Sequence, residues 1–163
     1  LKQIEKGGPL TITSKEMTRF FMSMEDAVSL VIEASVLMKG GEIFILKMKS
    51  VKIIDLAEVL INELAPKFGF SPKDIKIEII GVRPGEKLHE SLIAEEETIN
   101  CIDGGDLLVI ENKKEKTQLQ RLTPDNYLSN NYEQKVKINY NSNVPDTLTK
   151  EQIKSMLYDK KII

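Results

Sequence analysis

Hydrophobic spacing changes period along this chain, and that change constrains the fold more than any other feature. Ile53, Leu56, Ala57, Leu60, Ile61 and Leu64 repeat at helical spacing, whereas Ile75, Ile77 and Ile79 alternate as in a strand. A helix with one apolar stripe and a strand with one apolar face must each bury it against another layer. Helices alternating with strands therefore place the chain in the α/β class.

The same reading extends in both directions. Residues 10–13 read as a short strand after the turn at Gly7, Gly8 and Pro9, and residues 19–22 as a second extended piece. Ser23, with Asp26 three residues on, caps a helix over 24–38. Ala27, Val28, Val31, Ala34 and Met38 share one face of that helix, and Gly40 and Gly41 end it. Residues 42–46 read as a buried strand, and Ser50 as the cap of the helix that carries the stripe, closed by Pro66 and Gly69. Arg83-Pro84-Gly85 breaks the strand over 75–81, and a short helix is expected to run to about residue 93. Residues 99–110 read as a hairpin turning at 103–106. Three segments result: 1–111 as the main lobe, 112–147 as a polar linker or surface excursion, and 148–163 as a terminal helix. Thr149 and Gln152 make a capping box for that helix, whose apolar face of Ile153, Met156 and Leu157 docks on this chain or on a neighbour.

Charge and composition narrow the function. The 163 residues carry a net charge of -2, which argues against nucleic acid as the main partner. With one cysteine, Cys101, no internal disulfide forms, and with one histidine, His89, a zinc site built by this chain is not expected. No apolar run approaches the ~20 residues of a membrane span, so neither membrane insertion nor a signal peptide is read, and a cytoplasmic location is expected.

The familiar catalytic motifs are missing. There is no Gly-x-Gly-x-x-Gly, no Walker loop and no Gly-x-Ser-x-Gly elbow, and none of Tyr127, Tyr132, Tyr140 and Tyr158 has a lysine four residues on. Two constellations remain. Met17-Thr18-Arg19-Phe20-Phe21-Met22-Ser23-Met24-Glu25-Asp26-Ala27 puts a guanidinium just before a short apolar strand and a capped helix. Arg83-Pro84-Gly85-Glu86-Lys87-Leu88-His89-Glu90 puts another at a strand end, before a rigid turn and a carboxylate. Strand ends are where open α/β sheets bind ligands. Two planar forks converging there suit a diphosphate, and a nearby carboxylate suits a vicinal diol.

These runs, with Pro9-Leu10-Thr11-Ile12-Thr13 and the tail Tyr140-Asn141-Ser142-Asn143 and Leu148-Thr149-Lys150-Glu151-Gln152-Ile153, resemble the C-terminal part of extended short-chain dehydrogenases acting on nucleotide sugars. The resemblance is to the branch of polysaccharide biosynthesis proteins that includes the inverting UDP-N-acetylglucosamine 4,6-dehydratases and the capsular UDP-sugar 4-epimerases. It covers residues 1 to about 111 and 138–163. It implies the substrate-binding lobe of a Rossmann-type enzyme without the dinucleotide-binding core. Backbone groups at Thr11 and Thr13 would hold the uracil, Arg19 and Arg83 the diphosphate, and Glu86 the ribose hydroxyls, while Asp26 is structural. NADP or NAD would be bound by an N-terminal half that this chain lacks. In such enzymes the cofactor takes hydride from C4 of the sugar, and water is then lost across C5 and C6. All groups doing that work lie upstream of Leu1, so this chain alone is expected to carry no catalytic residue and no cofactor. It begins inside the family's pattern, which implies a shortened form or a remnant.

Plainer readings stand beside these. Arg19 pairs with Glu16 or Glu25, Arg83 with Glu86, and Thr11 and Thr13 are ordinary strand residues. His89 is a helix-face residue, Phe20, Phe21 and Met22 belong to the core, Cys101 is inert, and 103–106 is a turn, not a calcium loop. Two functions compete: a UDP-sugar lobe of a dehydratase or epimerase, or a non-catalytic assembly module held together by the tail helix. Either is expected to form homo-oligomers and, without a covering half, to expose apolar surface and self-associate or repack residues 1–25.

Overall fold

A computed structural model describes residues 1–111, 140–143 and 147–163. The linker expected at 112–147 therefore lies almost wholly outside the described residues. In chain order the elements are α1 (Lys2–Glu5), β1 (Leu10–Ile12), β2 (Thr18–Phe20), α2 (Met24–Leu37), β3 (Ile43–Leu46), β4 (Ser50–Lys52), α3 (Ile53–Leu64), β5 (Ile77–Ile79), β6 (Cys101–Asp103), β7 (Leu107–Ile110) and α4 (Lys150–Asp159). The protein is α/β. The described residues divide into two units, Leu1–Phe21 with Lys49–Glu90 and Ser142–Ile163, and Met22–Met48 with Ser91–Asn141.

The first unit is organised by α3. Its stripe buries Ala57, Val59, Ile61 and Leu64. Ile61 and Leu64 join Ile4, Ala65 and Ile75 in one cluster, and Val59 joins Val51, Ile153 and Leu157 in another. The apolar face of α4 thus docks on this chain's own α3. Thr149 caps α4 by accepting from the Gln152 N–H, as its sequence indicates. Two small sheets complete the unit: β1 runs parallel to β5, pairing Thr11 with Glu78, and β2 runs antiparallel to β4, pairing Arg19 with Val51. Gly7 sits at φ +84°, and a Cβ there would come within 2.9 Å of the Phe70 ring, so the turn into β1 needs glycine.

In the second unit β3, β7 and β6 form an antiparallel sheet in that order, and β6 and β7 are the expected hairpin. The Gly104 N–H closes its turn on the Leu107 carbonyl at 2.8 Å, and Asp103 accepts from the Gly105 N–H. Ile45, Ile93, Cys101, Leu108 and Ile110 make the core. Burial pushes the Cys101 thiol up, which suits an inert residue. Ser23 and Asp26 form the capping box of α2, each accepting from the other's N–H at about 3 Å.

Several expectations fail, each for a non-local reason. Ser50 does not cap α3: it is paired in β4 and its carbonyl accepts from the Leu148 N–H, while the Met17 carbonyl takes the first helical N–H, from Ile53. Residues 42–46 do not form a buried strand. Only Ile45 is buried and Ile43 is exposed, because β3 is a sheet edge with one strand neighbour among the described residues. Met22 is exposed and outside the core. The helix expected from Gly85 to about residue 93 does not form, for reasons set by the site below.

The face of α2 is largely exposed, with only Ala27 and Ala34 half-buried. Val28, Val31, Ile32 and Val36 are exposed, Val36 to 73%, and no residue of the helix is buried. An apolar stripe of that extent in water favours association. Light scattering across a concentration series is expected to show self-association, and Val31→Glu with Val36→Lys should reduce it while shifting stability by less than about 0.5 kcal/mol. A monodisperse monomer at every concentration contradicts this expectation.

Candidate functional site

Strand β1 presents its backbone in two directions. The Leu10 N–H donates to the Lys76 carbonyl and the Ile12 carbonyl accepts from the Ile80 N–H, both at 2.9 Å, so these residues face β5. Alternation turns Thr11 and Thr13 the other way. On that side the Thr11 N–H donates to Gln3 Oε1 at 3.3 Å, and Gln3 Nε2 donates to Thr11 Oγ1 at 2.9 Å. A side-chain carboxamide thus already reads Thr11 through one acceptor and one donor, the pair that a uracil imide edge also offers.

Glu86 ties the end of β1 to the arginine-bearing segment. Its Oε1 accepts from the Thr13 hydroxyl at 3.3 Å and its Oε2 from the Arg83 N–H at 3.2 Å. The Arg83 guanidinium is exposed and makes no hydrogen bond or ion pair among the described residues. Arg83 and Glu86 are therefore not a side-chain ion pair.

Arg19 is differently engaged. Its Nη1 donates to the carbonyls of Thr18 (2.7 Å) and Leu88 (3.0 Å), and its Nη2 to that of Lys87 (2.7 Å). Its Nε lies 3.6 Å from Glu90 Oε1, so its ion-pair partner is Glu90 and not Glu16 or Glu25. Of five donors, one Nη2 N–H has no such assignment in this geometry. These bonds also explain the missing helix. The Leu88 carbonyl accepts from the Thr18 N–H and from Arg19, the Glu90 N–H donates to Ser142 Oγ, and Gly85 sits at φ +84°. Backbone groups committed to β2 and the tail cannot close helical turns with one another.

All five candidate residues, Thr11, Thr13, Arg19, Arg83 and Glu86, lie in the first unit, joined through β1, β2 and the 83–90 segment. A cavity of about 430 Å³ in that unit is lined by residues including Gly8, Pro9, Asp74, Lys76 and Glu78, and by none of the five. Sequence reasoning missed Gln3, Thr18 and Ser142 as parts of this assembly and placed His89 on a helix. His89 Nδ1 lies 2.8 Å from Thr18 Oγ1, which lies 2.7 Å from Ser142 Oγ. Ser142 stands in a stretch already marked by resemblance, but no local periodicity reports a contact across 124 positions.

Comparison with known proteins places the chain in a family. The sequence profile of the polysaccharide biosynthesis protein family matches residues 1–112. The chain belongs to that family. It is similar over 156 residues, at 51% identity, to an uncharacterized membrane protein of Methanocaldococcus jannaschii, covering 96% of this chain and 42% of that one. It is 44% identical over 98 residues to a UDP-N-acetylglucosamine 4,6-dehydratase (inverting) of Campylobacter jejuni, covering 60% of this chain and 26% of the relative. Among solved structures, Pen from Bacillus thuringiensis superposes with a TM-score of 0.79 at 30% identity, covering 99% of this chain and 44% of Pen. The family member described here therefore has the fold of the C-terminal part of an extended short-chain dehydrogenase, and it spans under half the length of these relatives. No helix among its described residues is long and apolar enough to cross a membrane.

Proposed function

We propose that this chain is the UDP-sugar-binding part of a nucleotide-sugar dehydratase or epimerase of polysaccharide biosynthesis, with UDP-N-acetylglucosamine 4,6-dehydration as the parent reaction. The observation that carries this is the bridge made by Glu86. One carboxylate accepts from Thr13 at the end of β1 and from the Arg83 N–H. It thereby joins a backbone edge suited to a base, a carboxylate suited to a ribose diol and a cation suited to phosphate. Thr11 and Thr13 hold the uracil, Glu86 the ribose, and Arg83 with the remaining Nη2 donor of Arg19 the diphosphate; Gln3 yields its place at Thr11 to the base. The similarity to the Campylobacter jejuni dehydratase supports the choice of reaction.

The residues described here do not fit a dinucleotide. The parallel pair β1 and β5 is not followed by a glycine-rich turn opening a helix, and the chain has no Gly-x-Gly-x-x-Gly. NADP or NAD, where the parent reaction uses it, belongs to a dinucleotide-binding region that acts with this lobe. The rival assembly role for the tail is weakened because Ile153 and Leu157 are buried within this chain.

Calorimetric titration with UDP and UDP-N-acetylglucosamine tests the reading. Half a pocket is expected to give a Kd on the order of 0.1–1 mM, close to the weak end of specific binding, with no turnover by this chain alone. A folded sample that takes up neither ligand at millimolar concentration overturns it.

A further inference from the structure

We propose that Thr18 and Ser142 are positioning residues for this site: a buried hydroxyl chain from the tail sets the geometry of the 87–90 segment and holds the His89 ring through Nδ1. The inference rests on the UDP-binding reading and adds to it residues that neither motif nor resemblance assigns.

The contacts run unbroken from Glu90 to His89. The Glu90 N–H donates to Ser142 Oγ at 2.8 Å, and the Ser142 N–H donates to the Glu90 carbonyl at 2.8 Å, so Ser142 grips Glu90 through both. The Ser142 proton then has Thr18 Oγ1 at 2.7 Å or the Thr18 carbonyl at 3.3 Å. Thr18 Oγ1 in turn lies 2.8 Å from His89 Nδ1. Both short contacts are hydrogen bonds whichever group donates, so the chain holds the His89 ring through Nδ1.

Burial makes the arrangement strict. Thr18 is 3% exposed and Ser142 is fully buried, so water does not replace a lost partner, and an orphaned hydroxyl or N–H there is costly. The segment so held is the one whose carbonyls at Lys87 and Leu88 are fastened by Arg19, and it follows directly on Arg83 and Glu86. A contact 124 residues away in sequence thus sets where the ligand-bearing turn lies against β2.

The test uses Thr18→Val, which keeps shape and removes the hydroxyl, Thr18→Ser, which restores it, and Ser142→Ala as a second deletion. UDP affinity is read by calorimetry. The contact at His89 Nδ1 is read from the ¹⁵N shifts of the imidazole, which are unambiguous because the chain has one histidine. Thr18→Val and Ser142→Ala are expected to weaken UDP about tenfold, the effect of one lost buried hydrogen bond. Thr18→Val should also move the His89 Nδ1 resonance, and Thr18→Ser should recover both readouts. If the unaltered chain binds UDP and folded Thr18→Val or Ser142→Ala binds it equally well, the positioning role is wrong while the UDP reading stands. An Nδ1 resonance unmoved by Thr18→Val equally refutes the hold on His89. Failure of the unaltered chain to bind UDP removes both.

Discussion

Leu157→Ala is expected to destabilise the protein by about 2–5 kcal/mol, the range for truncating a fully buried leucine. Leu157 is 1% exposed and Ile153 fully buried, and both pack with Val51 and Val59. The helix is also held by polar contacts. Lys154 lies 2.7 Å from Glu63, the Tyr158 hydroxyl donates to Glu63 at 2.7 Å, and Lys150 reaches Asp55 and Glu58. Lys154, and then Tyr158, hold the Glu63 carboxyl below the ordinary carboxylate range. These are surface pairs, each worth about 0–1 kcal/mol, so apolar burial dominates the docking. Lys154→Ala should therefore cost under about 1 kcal/mol in the same urea melt followed by circular dichroism. A Leu157→Ala variant as stable as the parent, but with a smaller mass in light scattering, would show that the face serves a subunit contact instead.

The second large effect concerns the two arginines, which the structure separates by role. Arg19→Ala is expected to lower UDP affinity at least about 100-fold, because it removes a phosphate donor and also releases carbonyls held by charge-assisted bonds of about 1.5–3 kcal/mol each. Arg19→Lys should recover little, since an ammonium cannot span the carbonyls of Thr18, Lys87 and Leu88 as a planar fork does. Arg83→Ala is the cleaner probe. Its guanidinium has no partner among the described residues, so the variant should keep its stability within about 0.5 kcal/mol. It should still lose about tenfold in UDP affinity, as a charge-assisted contact to phosphate is worth about 1.5 kcal/mol or more. Arg83→Ala with undiminished calorimetric affinity would remove Arg83 from the site.

Much of this was legible because it is local. The stripe of α3, the hairpin of β6 and β7 and the capping boxes at Ser23 and Thr149 each depend on residues a few positions apart. The candidate site was legible as residue types in two short runs. Its wiring was not: Gln3 on Thr11, Glu86 on Thr13 and Ser142 on Thr18 join segments that meet only in the folded chain. The expected helix after Gly85 failed for that reason, since its backbone groups found stronger partners in β2 and the tail.

The amino-acid order by itself determined which segments become helix, strand and turn wherever periodicity and capping chemistry act within a turn or two. Tertiary structure alone decided which apolar faces are covered. The stripe of α4 is buried against α3, and most of that of α2 is exposed. It also decided that Arg19 braces a backbone segment whereas Arg83 stays exposed. Periodicity reports that a face is apolar. What covers a face, or satisfies a donor, is set by chain segments distant in sequence, and only the folded chain brings them within reach.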